Sequence, residues 1–145
     1  MNEYLVIIQT LIMLIALGAY IKSNRDKHEY QKIQNINEFT QRYSDIVYNF
    51  SEKIIIEDLP IASLNEYDKY KLIREMRRYF DLCFDEYMMQ KREYITEDVW
   101  SVWRGGMRRA MERKPFRDSW TILKKDTAYG DEFDTFMDGL KNKKR

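Results

Sequence analysis

One run of eighteen residues without a charged side chain, Tyr4 to Ile21 (YLVIIQTLIMLIALGAYI), constrains this chain more than any other stretch. As a helix it would extend roughly 27 Å, the reach of a single transmembrane span. Tyr4 and Tyr20 stand at its ends, where interfacial aromatics are favoured. A cleaved signal peptide needs a basic leading segment, and Met1-Asn2-Glu3 supplies none. A helix buried in a water-soluble core is rarely apolar on every face. Lys22, Arg25 and Lys27 follow the run, whereas only Glu3 precedes it. The positive-inside rule therefore predicts a single-pass protein of the inner (plasma) membrane, with its N-terminus outside and its C-terminal domain cytoplasmic. On this reading residues 1–27 form a transmembrane anchor with a basic juxtamembrane flank, and residues 28–145 form a helical cytoplasmic domain. The lipid bilayer is then a partner through Tyr4–Ile21, and Gln9 could hydrogen-bond a neighbouring span.

The remainder reads as helices. Ile36, Phe39, Tyr43, Ile46 and Phe50 recur every three or four positions, which predicts one helix with one buried stripe, continuous with the anchor through a polar stalk. Pro60 disfavours helix at the residue before it. Ser63 with Glu66 three residues later has the pattern of a capping box opening a long helix to about Arg92. That helix buries Ile73, Met76, Phe80, Cys83 and Tyr87, and Asp81 is spaced to pair with Arg77. Thr96 caps the next helix, with Glu97 and Asp98 in its first turn. Gly105-Gly106 interrupts it at a cost of roughly 2 kcal/mol relative to alanine, which predicts a kink or a close helix approach. Two further helices follow, around Trp120 and around Phe133 to Leu140, and Lys141 to Arg145 forms a basic tail. No alternating strand pattern occurs. The predicted class is all-α: one transmembrane helix followed by a bundle of about five.

Little in this composition resembles catalytic machinery. A single histidine, His28, argues against a His-ligated metal site or a Ser–His pair. The single cysteine, Cys83, excludes an internal disulfide and a cysteine-based zinc site, and its place in a buried stripe predicts an inert thiol. No cofactor is expected. A net charge of +1 argues against broad nucleic-acid binding. Trp100, Trp103 and Trp120 fall at core spacing.

The most distinctive polar stretch is RGGMRRAMERKPFR, in which Arg104, Arg108, Arg109, Arg113, Lys114 and Arg117 face one acid, Glu112. Arginine forks bind phosphate or carboxylate in bidentate fashion, so these six residues form a candidate surface for an anion or a partner. The simpler reading is that Asp126, Asp131, Glu132, Asp134 and Asp138 neutralise them, within one chain or between protomers.

The segments YFDLCFDEY, YITEDVWSVWRGGM, KPFRDSW and EFDTFM, within Tyr79 to Leu140, resemble a group of small bacterial and prophage membrane proteins with one N-terminal span and a helical cytoplasmic domain. The resemblance implies that architecture and a prokaryotic origin, and it carries no functional residue across. The functional expectation is a non-catalytic, membrane-anchored interaction module that binds a protein partner or itself. The alternative is an anion-responsive sensor or effector in phage–host conflict, taking a nucleotide or acidic lipid at Arg104–Arg117.

Overall fold

In a computed structural model of the chain, residues 3–141 are described, with side chains from residue 8 onward. Among them the fold is all-helical: α1 (Glu3–Tyr48), α2 (Glu52–Ile56), α3 (Glu66–Lys91), α4 (Glu97–Met111), α5 (Lys114–Leu123) and α6 (Asp131–Leu140), with a 3-10 turn at Ile61–Ser63. The Met1-Asn2 end of the N-terminal flank and residues 142–145 of the basic tail lie outside the described residues.

The 46 residues of α1 form one uninterrupted helix, about 69 Å long at 1.5 Å per residue. Its two halves differ in kind. Side chains from Ile8 to Gln31 are all exposed, whereas Phe39 and Ile46 are buried in the bundle. Stalk and first bundle helix are thus continuous, as the sequence predicts.

The membrane assignment is corrected. No helix of the described residues is long and apolar enough to cross a membrane. The described apolar side chains of the arm end at Ile21, and the polar Gln9 and Thr10 stand among them. Extending that run toward the bundle takes in Lys22, Asn24 and Arg25. Tyr4 to Ile7 lie outside the residues whose side chains are described. The single-pass topology, the inner-membrane location with a cytoplasmic domain and the bilayer contact through Tyr4–Ile21 are therefore unsupported.

Helix α3 is the centre of the bundle, packing against α1, α4 and α5. Met76, Phe80, Leu82 and Cys83 are almost fully buried, and Tyr79 packs edge-on against Phe116 with ring centroids 5.1 Å apart. Phe133 of α6 meets both Phe84 and Trp120 in T-shaped contacts, which closes the far end of the core. Such aromatic pairs contribute about 0.5–1.5 kcal/mol beyond the area they bury.

Several local expectations change. The N-cap of α3 is Asn65, whose side chain accepts from the Asp68 N–H at 2.9 Å, while Ser63 Oγ donates to the Pro60 carbonyl. A serine two residues upstream of the true cap simply satisfies its own turn. Thr96 does cap α4. Gly105 and Gly106 neither end α4 nor admit a neighbouring helix: α4 continues to Met111, and a Cβ built at either glycine meets nothing within 4 Å. Pro115 sits in the first turn of α5, where its missing N–H costs no helical bond.

Candidate functional site

Three of the six basic residues, Arg113, Lys114 and Arg117, lie where α4 gives way to α5. Arg113 precedes α5, and its guanidinium donates to the Ile55 carbonyl at 2.6 Å. The backbone N–H of Lys114 donates to Asp58 Oδ1 at 2.6 Å, so a carboxylate from the α2 loop serves as the missing cap of α5. Arg117 donates to the carbonyls of Met111 and Glu112, at the C-terminal end of α4 where cations are favoured. Arg113 and Arg117 therefore tie helix ends together. Arg104, Arg108 and Arg109 form no ion pair among the described residues, and Arg104 Nε is buried without a hydrogen-bond partner.

Within the chain, the acidic stretch forms no ion pair with them among the described residues. Glu132 pairs with Lys91 at 2.5 Å and accepts from the Tyr87 hydroxyl, Asp126 lies 3.9 Å from Arg77, and Asp138 holds Lys124 and Lys141. Asp81 does not pair with Arg77; it accepts from the Tyr129 hydroxyl at 2.6 Å. Burial works against ionisation of Asp138, but hydrogen bonds from Lys141, Lys124 and the Trp120 indole outweigh it and bring its carboxyl down to about 2. That indole bond is 3.0 Å and serves a tryptophan with no exposed surface.

The arrangement with most chemical content lies elsewhere. Phe39, Thr40 and Tyr43 of α1, Tyr79, Leu82 and Glu86 of α3, and Val102, Trp103, Gly106 and Met107 of α4 line a cleft of about 270 Å³. Its walls are chiefly apolar and four of its residues are aromatic. Phe39 and Trp103 lie against each other, centroids 5.5 Å apart, with the Arg42 guanidinium over the Phe39 ring at 5.2 Å. Gly106 lies on the α4 side, and its missing side chain leaves that wall recessed.

Glu86 is the one acid on this surface, and only 6% of it is exposed. Its carboxyl makes no hydrogen bond or ion pair among the described residues; the nearby Arg42 pairs at 2.8 Å with Asp85 instead. Burial pushes the Glu86 carboxyl up to about 8, with Arg42 opposing and Asp85 adding to the shift. Beneath it, Cys83 is a free, buried thiol, pushed well above its usual range by burial and then by Glu86. The expectation of a buried thiol holds. Sequence reasoning missed Glu86, although the spacing 79–82–86 along a buried stripe would have flagged an acid facing inward.

No protein-family model, curated protein or solved structure matches the chain.

Proposed function

We propose that this chain is a non-catalytic helical interaction module that binds a protein partner or a second copy of itself. The observation that carries the reading is the α1 arm. Ile8, Leu11, Ile12, Met13, Leu14, Ile15, Leu17, Tyr20 and Ile21 are between 53% and 69% exposed, all on one rigid helix. Contiguous apolar surface of this kind marks sites where macromolecules meet. The non-catalytic part rests on composition: one histidine and one buried cysteine offer little for nucleophilic or acid–base work.

The test is crosslinking in cells through a cysteine placed at Met13 in a Cys83→Ser background. A discrete larger species of fixed stoichiometry is expected. A chain that stays monomeric and uncrosslinked across its expression range would refute the module.

The second reading, an anion-responsive effector, is favoured by the absence of a carboxylate on Arg104, Arg108 and Arg109 among the described residues. Their guanidinium forks remain available for a phosphate. Arg108→Glu with Arg109→Glu should then abolish binding of ATP or of phosphatidylserine vesicles while the helical circular dichroism is unchanged. Failure of the parent chain to bind either probe removes this reading.

A further inference from the structure

The cleft between α1, α3 and α4 is a built recess with an incomplete floor. Charged side chains buried to the degree of Glu86 are ordinarily paired, because an unpartnered carboxyl in an apolar setting is costly. Here the obvious partner is diverted: Arg42 is held at 2.8 Å by Asp85 and stacks over Phe39. The carboxyl is left facing a recess with Phe39, Tyr43, Tyr79 and Trp103 in its walls. Aromatic faces attract cations through their quadrupoles, most strongly when desolvated, and tryptophan does so best. A carboxyl that can ionise beneath aromatic walls matches a compact positive group with apolar substituents. At about 270 Å³ the recess lies just below the range of drug-sized pockets and suits a small molecule.

We propose that this cleft is a binding site for a small organic ammonium ion, with Glu86 as its counter-charge and Phe39, Tyr43, Tyr79 and Trp103 as its aromatic walls. The site is separate from the α1 arm and does not depend on the interaction reading. Ammonium binding requires the ionised form of Glu86, so the incoming cation displaces a proton to solvent. The titratable or charged groups around that carboxyl are Arg42 and Tyr43 from α1 and Tyr79, Cys83 and Asp85 from α3; the cleft-lining residues of α4 are all uncharged.

The experiment is calorimetric titration of the full chain with choline and with its neutral isostere 3,3-dimethyl-1-butanol, followed also by tryptophan fluorescence. Choline is expected to bind saturably, at least about tenfold more tightly than the alcohol, with proton release visible as a buffer-dependent heat. Each factor of ten corresponds to about 1.4 kcal/mol. Glu86→Gln should erase the preference for choline, and Gly106→Leu should fill the recess and remove binding of both molecules. Equal or tighter binding of the alcohol overturns the proposal, as does an absence of choline binding to the parent chain. Should Glu86→Gln fail to fold, Gly106→Leu with unaltered choline affinity overturns it equally.

Discussion

Glu86 places an ionisable group where the fold prefers it neutral, and the sign of the resulting pH dependence follows directly. Its carboxyl rises from an ordinary 4.5 in the open chain to about 8 in the fold. Between those values the folded state holds more protons than the unfolded state, so stability falls as pH rises from about 4.5 and levels off above about 8. Chemical denaturation at pH 5, 7 and 9 should show this decline, and Glu86→Gln should flatten it. An equally steep decline in the variant would assign the effect to other groups. Asp138 makes the opposite contribution. Its lowered value gives stability that is complete above about 3.8 and is lost as pH falls through about 2. Asp138→Ala leaves the Trp120 indole N–H without its acceptor and should cost about 1–3 kcal/mol in urea unfolding. Neither role is visible in composition. The acids of the C-terminal stretch were expected to meet the arginines of α4, but side-chain pairing depends on which faces of packed helices oppose each other. Lys91, Lys124 and Lys141 proved the nearer cations.

The helices themselves were legible because their information is local. Apolar spacing of three and four residues set α1, α3 and α6, and Thr96 marked the start of α4. The Gly105-Gly106 pair does not end α4, because a helix penalty of this size is small enough for packing to override. Glycines supply a comparison within one protein. Gly105→Ala, mid-helix with open space for a methyl group, should stabilise by about 0.5–1 kcal/mol. Gly130 precedes α6 at φ +93°, a conformation that disfavours L side chains, so the same replacement there should destabilise by about 1 kcal/mol or more. Thermal unfolding of the two variants side by side checks both signs. If both stabilise, the backbone of the α5–α6 connection is not constrained as described.

The molecule as a whole divides into a packed bundle and a projecting rod, although one helix belongs to both. The all-α class followed from the sequence; the membrane topology did not, since no helix among the described residues is long and apolar enough to cross a membrane. Deleting residues 1–27 removes side chains that are exposed wherever they are described. The truncated bundle should keep its unfolding free energy within about 0.5 kcal/mol, the range typical of surface changes. It should also lose the crosslinked species of the full chain. A large loss of stability would mean that the arm folds back on the bundle. Because α1 is unbroken, its two ends share one angular phase. Each residue turns the helix by 100°, and rolling α1 by a single position would pull Phe39 and Ile46 out of the core. The core therefore acts as a keyway: it fixes the compass bearing of every side chain on the arm some tens of ångströms away, so whatever grips the rod receives the bundle in one orientation.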